Sequence, residues 1–132
     1  MKKSNKKFDL ILESYGIYTR WNKNSRDLPE IVKFTDQVPA QMDTEFGMIL
    51  RIKKGKGVKL GYCIKHPPFR DNKGNVEPEF TGYQMITSND YLFFIGDCIW
   101  EPVSDKAGEW IIELFFKDEM IMSRRFIIYN ET

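Results

Sequence analysis

An all-β fold is what this sequence predicts, and three observations carry the prediction. Alanine, the best helix former, occurs only at Ala40 and Ala107, while aromatic residues make up 14% of the 132 residues. Bulky and branched side chains suit a pleated surface better than a helix, which loses its strongest former in such a chain. Apolar residues also recur with period two in several short runs, the spacing of a strand with one face inward. Finally, clusters of Gly, Pro, Asn and Asp separate those runs, as in an antiparallel sandwich or barrel.

The elements follow in order. Residues 1–7, with four lysines, read as a disordered basic tail, and residues 8–132 as a single domain of ordinary size. Residues 8–20 form one strand, or two broken near Gly16. A polar loop, WNKNSRDLPE, precedes a short strand at 31–35. In 46–54, Met48, Leu50 and Ile52 share a face. In 58–66, Val58, Leu60, Tyr62 and Ile64 share one, with Lys59, Cys63 and Lys65 opposite. The Gly-containing KKGKG between these runs predicts a hairpin.

Residues 66–80, HPPFRDNKGNVEPEF, form the longest loop, of a length uncommon for a structureless connection. A strand at 81–87 and a turn at Ser88-Asn89-Asp90 lead into 91–100, apolar on both faces up to Ile95, which reads as a central strand. The last hairpin pairs 110–116 with 120–129 around Lys117-Asp118-Glu119. Its first strand alternates Trp110, Ile112, Leu114 and Phe116, which marks Trp110 as a core anchor.

Taken in order, several motifs resemble a bacterial family, the "domain of unknown function 3859" proteins. Gly16-Ile17-Tyr18 resembles an early G-x-Y of that family. Thr35, Val38-Pro39-Ala40 and Phe46-Gly47 resemble its T-x-x-[IV]-P-A followed by F-G. His66-Pro67 is similar to its His-Pro, and Gly108-Glu109-Trp110 with Phe126 to its terminal P-G-x-W hairpin. Ala107 stands where the family usually has Pro, and the loop after His66 is long and charged. The resemblance implies an immunoglobulin-like antiparallel β-sandwich over nearly the whole chain, and it carries no activity with it.

Charge excludes some function classes. The net charge is +1, so no global basic field marks a nucleic-acid binder. Residues 1–66 hold 14 Lys/Arg against 7 Asp/Glu, and residues 67–132 hold 6 against 12. Interleaved strands would turn that +7 and −6 into complementary packing. The basic run Arg51, Lys53, Lys54, Lys56, Lys59 reads as a solvated hairpin tip, which discourages edge-to-edge aggregation, rather than a nucleic-acid grip. Asp9 interrupts the first apolar run, so it is not a secretory signal, and no run reaches the length of a membrane span. A cytoplasmic protein with Cys63 and Cys98 reduced is expected.

The chemistry-bearing residues weigh against catalysis. His66 is the only histidine, at a strand end, with Asp71, Glu77 and Glu79 in the adjoining loop. Asp71-Asn72-Lys73-Gly74-Asn75 places Lys at a position where a calcium loop needs a ligand, so no metal is expected. Strand alternation sends Cys63 and His66 to opposite faces, which denies the thiol a base. No phosphate loop, nucleophile elbow or dinucleotide fingerprint is present, and no cofactor is expected.

The candidate binding residues are Trp21, bordering the polar loop, His66, and Arg70, which heads the charged part of loop 66–80. Trp21 reads more readily as a loop anchor than as a ligand platform. The expected function is a non-catalytic binding or interaction domain of a bacterial cytoplasmic protein, meeting another protein through a sheet edge or loops. The alternative is a ligand-sensing or weakly catalytic site in the loop following His66. A free sheet edge or apolar patch favours the first, and a pocket with convergent polar groups the second.

Overall fold

Nine strands make two sheets in a computed structural model that describes residues 7–22 and 24–131. They are β1 (Asp9–Tyr18), β2 (Ile31–Lys33), β3 (Gln37–Pro39), β4 (Glu45–Lys53), β5 (Lys59–Lys65), β6 (Phe80–Met85), β7 (Asp90–Cys98), β8 (Gly108–Phe116) and β9 (Glu119–Tyr129). The first sheet runs β2-β1-β4-β7 and the second β3-β9-β8-β5-β6. All pairs are antiparallel except β3 with β9, which is parallel. A single 3-10 turn, Val103–Lys106, precedes β8. The expectation for the tail falls, Lys7 aside, outside the described residues.

The core lies between the sheets. Met48, Leu50 and Ile52 of β4 are fully buried, as are Leu60 of β5, Trp110, Ile112 and Leu114 of β8, and Phe126 of β9. Phe46 centres one end, its ring 5.4 Å edge-on from both Trp110 and Phe126. Burial of this aromatic and aliphatic surface is the main term holding the two sheets together.

The last hairpin forms as the sequence predicts. Lys117 and Asp118 both take positive φ, 50° and 67°, the two-residue turn whose twist matches the flanking strands. Residues 8–20 give one strand, with a register shift between Leu12 and Ser14 where Glu13 bulges.

Two expectations are corrected. Runs 46–54 and 58–66 do not form a hairpin, because β4 and β5 stand in opposite sheets. Each carries one apolar face, and those faces meet across the core instead of lying side by side. The connecting 54–58 segment is an arch, turned by Lys54 at φ 62° and Gly57 at φ 91° and tied by Lys54 N to Asn89 O. The 91–100 run is likewise not a central strand, because β7 is the edge of its sheet. Its second apolar face is explained by a cover: Phe94 packs edge-on under Tyr18 at 5.0 Å and Trp21 at 5.1 Å. The short β3 carries Pro39 in a strand, which edge position permits.

The sandwich is closed on one long side and open on the other. β1 contacts β3 on the closed side. On the opposite side the edge strands β6 and β7 face each other without pairing.

Candidate functional site

A cleft of about 410 Å³ fills that open side. Tyr62 and Ile64 of β5 and Phe80, Tyr83 and Gln84 of β6 line it from the second sheet. Phe93, Phe94, Ile95, Gly96 and Asp97 of β7 line it from the first, with Trp21 and Trp100 from the flanking loops. Seven of these side chains are aromatic, and Asp97 is the one charged residue among the described lining. Such a site, mostly apolar with few polar groups, is the usual form of a ligand cleft.

The strands beside it position their groups by register. Ile86 N donates to Val58 O at 2.9 Å and Gly57 N to Ile86 O at 2.7 Å. Antiparallel alternation then turns the main chain of Phe80, Gly82 and Gln84 toward β5 and that of Thr81, Tyr83 and Met85 toward the open edge. Side chains alternate too, with Phe80, Gly82 and Gln84 half-buried and Thr81, Tyr83 and Met85 exposed. A Cβ on Gly82 would lie 2.4 Å from the Tyr62 hydroxyl, so a side chain there would push that ring aside. Gln84 is held by its amide, which donates to the Tyr91 hydroxyl at 3.0 Å.

The candidates from the sequence land in different places. Trp21 lines the cleft, its main-chain N–H donating to Glu45 Oε1 at 3.1 Å. Its indole N–H is buried with no hydrogen-bond partner among the described residues. His66 lies outside the lining, and both its ring nitrogens sit 2.7 Å from carbonyl oxygens, Nδ1 from Pro67 and Nε2 from Pro78. The ring stacks on Phe69 at 4.3 Å and leans on Phe80 and Trp110. It clamps the two ends of loop 66–80 together. Arg70 is exposed, donates to Gly74 O at 2.8 Å, and bridges to Val76, so it closes its own loop. The structure brings none of the three together.

Sequence reasoning missed Asp97, Trp100 and Lys106. Lys106 is only 1% exposed, its ammonium 4.6 Å from the Phe69 ring and 4.5 Å from the Trp100 ring. It donates to Asp105 Oδ1 at 2.6 Å and Pro102 O at 3.0 Å, and its own carbonyl accepts from Trp110 Nε1 at 2.8 Å. A buried lysine paired within its own turn is a local device no one-dimensional pattern announces. The density of aromatic residues was the signal available for the rest.

Both cysteines are free and poorly suited to nucleophilic work. Burial, then a hydrogen bond in which Cys63 Sγ donates to Glu79 Oε2 at 3.1 Å, pushes that thiol up to about 11. Burial, with Glu45 and Asp43 next, pushes Cys98 up to about 11 as well. Thiolate is therefore scarce at neutral pH.

The family model for the Domain of unknown function (DUF3859) matches residues 6–128. The chain belongs to this family. Among solved structures, this DUF3859 chain is similar to an immunoglobulin-like protein from Pseudomonas aeruginosa. The two share 20% identity over 92% of this chain and 97% of the other, with a TM-score of 0.71. At that identity the likeness shows the fold, an immunoglobulin-like sandwich, and nothing further. No curated protein matches the chain.

Proposed function

We propose that this DUF3859 domain is a non-catalytic binding domain that takes an extended segment of a partner protein as an added strand on β6. One observation carries the reading: β6 is an edge without the usual guards. Edge strands are normally kept short, charged, proline-bearing or covered, because their unpaired main chain templates other chains. The other edges of the sandwich follow that rule. β2 and β3 have three residues each, with a Lys in one and a Pro in the other. β7 carries Asp90 and Asp97. β6, FTGYQM, has six residues, no charge and no proline, and exposes Tyr83 at 70% and Met85 at 48%. Strand addition uses such an edge for affinity and side-chain pockets beside it for specificity. The cleft supplies the pocket, because inward side chains of an added strand would point between the sheets.

Catalysis finds little support. The thiols are held protonated, both ring nitrogens of His66 lie against loop carbonyls, and Arg70 Nη1 donates within its own loop. The cytoplasmic location expected from the sequence belongs to the same proposal.

Hydrogen exchange on the full chain tests it, with a panel of five-residue alternating strand peptides as probes. The amides of Thr81, Tyr83 and Met85 should exchange fast in the free protein and slow on saturation with a binding peptide. A Tyr83→Pro variant, which removes one outward donor and leaves the β5 ladder intact, should weaken binding roughly tenfold, the scale of a main-chain hydrogen bond lost at an interface. Protection that gathers on residues 66–80 instead would overturn strand addition and favour a ligand site in that loop.

A further inference from the structure

We propose that the segment added to β6 carries a short hydrogen-bonding side chain, a serine, threonine or asparagine, at the position facing Gly82; this rests on the strand-addition reading above. The Tyr62 hydroxyl selects it. Tyr62 on β5 pairs with Gly82 on β6, and its ring leans over that glycine toward the edge. The position a Gly82 Cβ would take lies 2.4 Å from the hydroxyl and 2.6 Å from the ring carbon that bears it. Tyr62 is half-buried. Its hydroxyl makes no hydrogen bond among the described residues and stays open to solvent in the free chain. Gln84, the other polar side chain that β6 turns inward, is already engaged. Its amide donates to the Tyr91 hydroxyl at 3.0 Å and to Met85 O at 3.3 Å.

An added strand covers that hydroxyl. Thr81, Tyr83 and Met85 turn their main chain outward, so Gly82 falls at a non-hydrogen-bonded position of the new antiparallel ladder, where facing side chains stand closest. The main chain that the added strand presents to β6 is spent on Thr81, Tyr83 and Met85, within the plane of the sheet. A partner for the hydroxyl therefore has to be a side chain. Facing Cβ positions in such a pair are about 4.5–5.5 Å apart. A polar atom one or two bonds beyond Cβ comes within hydrogen-bond reach of Tyr62, and a longer side chain passes it. Serine, threonine and asparagine can each donate or accept there, as the tyrosine hydroxyl can. Valine or leucine would strip the hydroxyl of solvent and give it no partner, which weakens binding. Aspartate would bring a charge between the apolar walls made by Phe80, Phe93 and Ile95, where burial disfavours it.

Two acetylated and amidated five-residue strand peptides, identical except for threonine or valine at the central inward position, test the proposal on the full chain. The two side chains have nearly the same shape and differ in the hydroxyl. Titration calorimetry gives affinity, and exchange protection at Thr81, Tyr83 and Met85 gives placement. The threonine peptide should bind about tenfold tighter than the valine peptide, the effect of leaving a covered hydroxyl without a partner. In Tyr62→Phe, which keeps the ring and removes the hydroxyl, the preference should vanish or reverse. The comparison of the two peptides on the unaltered chain stands even if that variant folds poorly. Edge protection with equal affinities, or with valine preferred, would overturn the hydroxyl pairing and leave strand addition standing. A threonine preference that survives in Tyr62→Phe would do the same. Absence of edge protection with both peptides would overturn both readings. If the free chain is a dimer that Tyr83→Glu dissolves, β6 is occupied by a second copy, and both are likewise overturned.

Discussion

Trp110 shows what one side chain contributes here. It is fully buried, its ring meets Phe46, and its indole N–H donates to Lys106 O at 2.8 Å. The indole thus joins β8 to the sheet opposite and to the 3-10 turn before it. Truncating it to Ala leaves a large cavity and an orphaned carbonyl. We expect Trp110→Ala to lower stability by about 3–5 kcal/mol, the range for a large buried aromatic. Chemical denaturation would show this directly, and an unchanged midpoint would contradict the burial. Position and phase of this residue were legible from alternation, since Trp110, Ile112, Leu114 and Phe116 are all buried. The clamp made by His66 was not. Its partners, Pro67 O and Pro78 O, are main-chain atoms brought together only once the loop closes.

At the scale of elements, every strand but β3 was legible, while of the pairings only the last hairpin was. Period two tells which face of β4 or β5 is apolar, but two apolar faces satisfy one another equally as hairpin neighbours or across a core. The arch at 54–58 decided for the core. The apolar pattern of β7 likewise does not distinguish a central strand from an edge covered by a loop, and the Trp21 cover lies 73 positions away along the chain from Phe94. The cleft inherits that difficulty, since it exists only where β6 and β7 fail to meet. One junction is set by glycine. Gly47 and Gly96 pair across β4 and β7, and a Cβ on Gly96 would lie 2.0 Å from Phe46 O. That contact is with main chain and cannot yield by a rotamer change. Gly96→Ala should therefore cost about 3 kcal/mol, the upper part of the overpacking range, and disturb the cleft that Gly96 lines. A thermal midpoint equal to that of the wild type would show that β4 and β7 can spread apart there.

Across the whole molecule, the charge imbalance between the two halves of the chain is partly repaid by ion pairs that cross it. Arg51 joins Glu13 from its own half to Asp90 from the other, and Lys65 meets Glu113. Both thiols sit on strands next to the open side, Cys63 on β5 and Cys98 at the end of β7, and both are pushed up to about 11. In the unfolded chain they titrate near the free value of about 8.5. The sign follows from proton linkage. Below the unfolded value both states hold the proton and the full stability is present. Above it the unfolded chain releases the proton first, so stability falls as pH rises from roughly 9 to 11. Each thiol should account for about 1–2 kcal/mol of that fall, less than the full shift implies because Cys98 is only half-buried. Tyr18, raised by burial, acts in the same direction and is common to both proteins compared. Urea denaturation at pH 8, 9, 10 and 11 should therefore show the wild type losing stability faster than a Cys63→Ser, Cys98→Ala double variant. Parallel curves would mean that the two thiols reach solvent freely, and that the open side is looser than the packing of β5 and β7 indicates.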